Sequence, residues 1–249
     1  MNGVVIIPAR LGSSRFPGKV LRDIAGKPML QWVYERAAQA RSITGVYIAT
    51  DAPEVETACR RFTDNIIRTR PDHVCGSDRV AEAAQSLDAD LIVNVQGDEP
   101  LIDPDLLDRL AALFDDPTVT LASAMTPIQS VDDLFNRNVV KVVVDAQDHA
   151  MYFSRAAIPW FRDDPPGATG SLPESLTAFQ HIGLYFFRRE TLFAFAALPP
   201  DPLERLEGIE PLRALAHRWP IKMLRTDRPC VGVDTEEDLE KVRTILEQQ

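Results

Sequence analysis

The chain has 249 residues, 45% of them hydrophobic and 26% charged, with 27 Lys and Arg against 37 Asp and Glu, a net charge of −10. That composition belongs to an ordinary folded protein with a sizeable core, and it lacks the global positive field that nucleic acid requires, so any anion site must be local. No apolar run nears the roughly 20 residues of a membrane-crossing helix; no signal peptide precedes the first strand, and Cys59, Cys75 and Cys230 show neither metal spacing nor a disulfide framework, which together predict a soluble protein of a reducing cytoplasm.

The stretch VVIIPARLGSSRFPGK, residues 4–19, organises the rest. Val4, Val5, Ile6 and Ile7 form an unbroken, β-branched apolar run, the pattern of a strand buried on both faces, and the run is expected to stop at Pro8. A loop with Gly12, Ser13, Ser14, Pro17 and Gly18 follows, carrying Arg10, Arg15 and Lys19. Cations and small residues at the carboxyl end of a central strand suit a polyphosphate. The loop matches neither the Walker A spacing, because Val20 follows Lys19, nor the dinucleotide fingerprint G-x-G-x-x-G.

Further along, the spacing predicts a helix over 29–40 with Leu30, Val33, Ala37 and Ala40 on one stripe. A strand over 45–50, a helix over 53–61 and a short strand at 66–67 come next. Ser77 is the expected N-cap of a helix running to about residue 87. A strand over 90–95 leads into Gln96-Gly97-Asp98-Glu99-Pro100, and Asp103-Pro104 opens a helix to 113. This alternation predicts an α/β protein with a mainly parallel sheet. The second half reads as strands at 120–126, 139–144, 150–153, 181–187 and 221–224, with helices over 189–197 and 204–217, the latter disturbed by Gly208 and Pro211. The stretch 162–174, rich in Pro and Gly, reads as a loop. Thr235 is the N-cap of a closing helix with Asp238 three residues on.

Asp98 is expected on the same sheet edge as Arg10, and a carboxylate beside a polyphosphate calls for a magnesium ion between them. Asp234 is the second candidate ligand, with helix capping as its alternative role. Asp51, at the end of the second strand, is where a nicotinamide-dependent oxidoreductase would keep its ribose-binding acid, but the glycine fingerprint is missing. A non-catalytic nucleotide-binding module would not need both Asp98 and Asp234.

These residues carry a family resemblance. Pro8-Ala9-Arg10, Ser14-Arg15-Phe16-Pro17-Gly18-Lys19, Gly26-Lys27-Pro28-Met29, Ala49-Thr50-Asp51 and Gly76-Ser77-Asp78-Arg79 resemble the corresponding motifs of the CMP-Kdo synthetases, the 3-deoxy-manno-octulosonate cytidylyltransferases. So do Asn94-Val95-Gln96-Gly97-Asp98-Glu99-Pro100, Phe153-Ser154-Arg155, Ile158-Pro159, His181-Ile182-Gly183 and Gly232-Val233-Asp234-Thr235; the match fails only in the loop 161–179. The resemblance implies a Rossmann-like three-layer nucleotidyltransferase fold, one domain over 1–249 with a sugar-binding and dimerisation subregion near 120–190, and a cytoplasmic homodimer using Mg2+. It implies transfer of CMP from CTP to Kdo, or to a related acidic sugar such as 8-amino-Kdo, with release of pyrophosphate, for lipopolysaccharide synthesis, and no nucleic-acid or membrane partner. On its motifs Lys19, Arg10 and Asp98 are catalytic; Arg10, Ser14, Arg15, Lys19, Ser77, Arg79 and Gln96 bind the nucleotide; Asp98 and Asp234 bind the metal; and Arg155, His181 and Glu210 face the sugar acid. The sequence departs from the family at Gln180, where a basic residue is usual, and at Pro211, where an amide is lost and a strained helix is expected.

Overall fold

The computed structural model describes residues 1–12, 16–162, 172, 178–228 and 231–248. In chain order the elements are β1 (Gly3–Ala9), a one-turn helix over Lys19–Leu21, β2 (Asp23–Ile24), β3 (Lys27–Pro28), α1 (Met29–Ala37), β4 (Ile43–Thr50), α2 (Pro53–Cys59), β5 (Ile66–Arg68), α3 (Gly76–Ala84), β6 (Leu91–Val95) and α4 (Pro104–Ala112). After a turn of 3-10 helix over Leu113–Asp115 come β7 (Leu121–Pro127), α5 (Val131–Phe135), β8 (Lys141–Val144), β9 (Ala150–Ser154), β10 (Phe179–Arg188), α6 (Arg189–Ala197), α7 (Pro202–Glu207), α8 (Leu212–Ala216), β11 (Lys222–Arg225) and α9 (Glu236–Glu247).

Among the described residues the main sheet runs β11-β7-β10-β6-β1-β4-β5, with β8 and β9 attached beside β10. β1 pairs parallel with β4 and β6, while β10 is antiparallel to both β6 and β7. The ends of β1, β4 and β6 and the start of β10 therefore share one edge. Side chains alternate across β1: Val5 and Ile7 face Leu30, Val33, Leu106 and Leu110, whereas Val4 and Ile6 face Val80, Ala84, Leu192 and Phe195. Each of these side chains stabilises the fold by about 1.5–3 kcal/mol on leaving water. This is a three-layer α/β/α arrangement, as expected.

Local outcomes differ from the sequence reading in places. β1 continues through Pro8 to Ala9 instead of stopping, because its pairing with β6 covers only Gly3 to Ile6, so Pro8 has a ladder on the β4 side alone. The N-cap of α3 is Cys75, not Ser77, which is the helix's second residue. The single helix expected over 204–217 is two, because Gly208 takes φ 63 and ends α7. Pro211 is the N-cap of α8, where a missing N–H costs nothing, so it does not strain the helix. The short hairpin β2–β3 and helix α5, the latter capped by Ser130, had no clear period in the sequence.

Candidate active site

The site forms where the β1 loop, the β6 loop and the segment before α9 converge. Gly18, at φ 67, turns the chain into the one-turn helix that buries Val20 and sends Lys19 back toward the sheet edge. Gly97 allows the β6 loop to lie against β1, since a Cβ there would meet the Pro8 carbonyl oxygen at 3.3 Å. The Val233 N–H donates to the Asp98 carbonyl at 2.9 Å, joining the third segment to the second. Lys19 Nζ then donates to Asp98 Oδ2, to Asp234 Oδ1 at 3.0 Å and to the Val233 carbonyl at 3.1 Å. Burial opposes the charge on Lys19, but Asp98 and then Asp234 outweigh it and hold the ammonium above its ordinary pKa. Asp234 does not cap α9: Thr235 and Asp238 form the capping box, which leaves the Asp234 carboxylate for Lys19.

Glu99 lies behind this pair, its Oε1 so close to Gly232 that a Cβ there would sit 3.0 Å away. Burial, and after it the charge of Asp98, pushes the Glu99 carboxyl up to about 8, and its buried Oε2 has no hydrogen-bond partner among the described residues.

A cavity of about 600 Å³ opens from Asp98 and Asp234 toward Gln96, Gln180, His181, Tyr185 and Glu210. His181 is buried, with ring centroids 4.8 Å from Phe153 and 5.5 Å from Tyr185. Its Nε2 lies 2.9 Å from Ser123 Oγ, whose hydroxyl donates to the Ile182 carbonyl, so the imidazole is the donor of that pair. Burial lowers the imidazole to about 3, which keeps it neutral. Glu210 accepts from the backbone N–H groups of Gly76 and Ser77 at 3.0 and 3.1 Å and from Ser77 Oγ at 2.5 Å. It thereby supplies, from the turn between α7 and α8, the cap that α3 lacks locally. Asn94 donates to Ser77 Oγ and accepts from Gln96, so Gln96, Asn94, Ser77 and Glu210 form one polar chain along the cavity.

Other candidates stand elsewhere. Arg10 is exposed at the end of β1 and is not among the cavity's lining residues. Arg79 is buried, donating to Thr69 and lying 2.8 Å from Asp51, so Asp51 holds an arginine and not a ribose. Arg155 does not line the cavity: its guanidinium donates to the carbonyls of Glu207 at 2.6 Å, Arg137 at 3.0 Å and Gly208 at 3.4 Å. Ser14, Arg15 and most of the loop 161–179 lie outside the described residues. The sequence reading missed Tyr185 and the loop 136–140 as parts of the cavity wall, and missed Lys141 beneath it. The available signal was a lone lysine in the run Val139-Val140-Lys141-Val142-Val143-Val144.

The polyphosphate-ready sheet edge, the paired aspartates and the adjoining polar cavity define a nucleotidyltransferase class of site. The sequence pattern of the family described as cytidylyltransferase matches residues 4–244. The chain is 46% identical to the 3-deoxy-manno-octulosonate cytidylyltransferase of Geobacter sulfurreducens over 97% of this chain and 98% of that one, and 47% identical to that of Syntrophotalea carbinolica over 99% of each. Its fold superposes with a TM-score of 0.89 on a CMP:2-keto-3-deoxy-manno-octonic acid synthetase complexed with CTP, at 39% identity over 100% of this chain and 99% of that one. The chain belongs to the cytidylyltransferases, and among them to the 3-deoxy-manno-octulosonate cytidylyltransferase family.

Proposed function

We propose that this chain transfers CMP from CTP to 3-deoxy-manno-octulosonate. The anomeric hydroxyl oxygen of the sugar acid bonds to the α-phosphorus, the bond from that phosphorus to the β-phosphate bridge breaks, pyrophosphate leaves, and the hydroxyl proton passes to solvent. The observation that carries this reading is the gathering of Lys19, Asp98 and Asp234 at the mouth of a cavity of about 600 Å³ that also contains His181, Gln96 and Glu210. Such a transfer needs positioning and charge neutralisation more than a protein nucleophile. Lys19 and Arg10 supply charge to the triphosphate, with Ser14, Arg15, Ser77 and Gln96 completing the nucleotide side and Arg79, buried against Asp51 and Thr69, supporting it without facing the cavity. His181 and Glu210 border the acceptor sugar, and Arg155 supports its wall through backbone carbonyls.

Among the described residues no three His, Cys, Asp or Glu side chains are arranged around one point as a metal site. Two carboxylates reaching one ammonium do fit a magnesium ion that takes the rest of its shell from phosphate and water. Asp98 and Asp234 would hold it, and bound there it neutralises phosphate charge.

We further read the chain as one domain over 1–249 working as a cytoplasmic homodimer, its sugar-binding and dimerisation subregion near 120–190. Exposed apolar side chains within it support that reading: Met151 on β9 and Trp160 shortly after it. No helix among the described residues is long and apolar enough to cross a membrane, and Cys59 and Cys75 are free, buried thiols. Gln180, an uncharged residue on the cavity wall, leaves room for an amino-substituted acceptor such as 8-amino-Kdo. The test is pyrophosphate release from CTP with Kdo, 8-amino-Kdo or a nine-carbon sialic acid. Turnover with Kdo is expected; preference for the sialic acid would overturn the substrate assignment and leave cytidylyl transfer standing.

A further inference from the structure

We propose that Lys141 is a positioning residue for the acceptor sugar: its ammonium draws the loop 136–140 and the end of β9 together into the cavity wall opposite the aspartates.

Lys141 is fully buried at the start of β8, among valines. A lysine ammonium is strongly hydrated, and burying one costs several kcal/mol unless its protons find partners. Here each proton has one: Nζ donates to the carbonyls of Val139 at 2.6 Å, Arg155 at 2.8 Å and Asn136 at 2.9 Å. No carboxylate of the described residues is bonded to it; the nitrogen holds only main chain. A valine in its place would serve the strand equally well, so the cost is offset by what the ammonium ties together.

What it ties together is one wall of the cavity. Asn136, Asn138, Val139 and Val140 line it from the loop, and Gly208 and Ile209 line it from beyond α7. Arg155, whose carbonyl Lys141 holds, extends the clamp by donating to the carbonyls of Arg137, Glu207 and Gly208. The His181 N–H donates to the Val140 carbonyl at 2.8 Å, so the loop also fixes the strand end that carries His181. None of these bonds reaches Lys19, Asp98 or Asp234. Loosening the clamp should therefore be felt by the sugar acid and not by CTP, whereas a purely structural lysine would affect neither selectively.

This rests on the sugar-acid reading of the cavity, and the test separates the two. In Lys141→Met, pyrophosphate-release kinetics should show KM for the accepted sugar acid rising at least tenfold with KM for CTP within twofold. Lys141→Arg keeps the positive charge but cannot seat three carbonyls on one nitrogen, and should show a smaller rise, threefold or more, in the same KM. Amide hydrogen exchange of the nucleotide-free protein reads the clamp whatever the substrate is: amides of 136–140 and of His181 should exchange faster in either variant, with β1 and α3 unchanged. Unaltered exchange at 136–140, unaltered sugar KM in both variants, or parallel rises in the KM values of both substrates would each overturn the proposal. Turnover with a different sugar acid would revise only the substrate.

Discussion

The Lys19 ammonium stands 3.0 Å from Asp234 Oδ1 while donating also to Asp98, so one cation neutralises both proposed metal ligands. Lys19→Met should therefore act in two opposite directions. Pyrophosphate release should fall, because one charge-assisted contact stabilises a transition state by about 2–4 kcal/mol, or roughly 30- to 1,000-fold in rate. Mn2+ binding to the nucleotide-free protein, followed by electron paramagnetic resonance, should tighten, because the two carboxylates lose their internal cation. Weaker Mn2+ binding in the variant would show that Lys19 does not compete with the metal.

Asp98→Asn and Asp234→Asn keep shape and remove a hard anionic ligand. Each should raise the magnesium concentration for half-maximal turnover about tenfold or more, a shift of roughly 1.4 kcal/mol. Because both aspartates meet the same ammonium, the double variant should depart from the sum of the singles. Asp234→Asn leaves the Thr235–Asp238 capping box intact, so α9 should keep its helicity by circular dichroism. An unchanged magnesium requirement in both single variants would move the metal elsewhere.

Glu210 is a helix cap as well as a cavity residue, and the two roles can be separated. Removing its bonds to the N–H groups of Gly76 and Ser77 in Glu210→Ala should cost about 1–2 kcal/mol in urea unfolding. Glu210→Gln keeps one acceptor and should retain part of that stability. Equal stability of Glu210→Ala and the parent would mean that α3 finds its cap elsewhere.

The parts of this site that were legible in the sequence are those fixed by short-range pattern. The apolar run 4–7 could only be a buried strand, and the glycines and cations after it could only be a loop. Parallel topology then put the Asp98 loop on the same sheet edge as the loop after β1, and the structure pairs Asp98 there with Lys19, leaving Arg10 exposed. Illegible were roles decided by partners far along the chain. An arginine at 155 reads as a substrate cation until the fold turns it onto the carbonyls of Arg137, Glu207 and Gly208. Ser77 reads as an N-cap until Glu210 arrives from 133 residues away to bond its N–H and hydroxyl. Pro8 reads as a stop because nothing local tells where the ladder to β6 ends.

His181 gives the fold a pH dependence of predictable sign. Burial takes its imidazole from the ordinary 6.5 down to about 3. Between those values the unfolded chain binds a proton that the folded chain does not, so folding is opposed as the pH falls. The stability it confers is complete above pH 6.5 and drains away toward pH 3, by at most about 1.4 kcal/mol per pH unit. In His181→Gln, which cannot titrate but can still donate to Ser123, this contribution disappears. Other groups that titrate in the same range are common to both proteins and cancel in the difference. Urea unfolding of parent and variant at pH 7.5, 6, 5 and 4.5 should therefore show the parent's advantage shrinking, or its disadvantage growing, by about 2–3 kcal/mol across the series. Parallel stability curves would mean that the imidazole takes up its proton in the folded protein near its ordinary pH, and so is not sealed between Phe153 and Tyr185 as the ring packing places it.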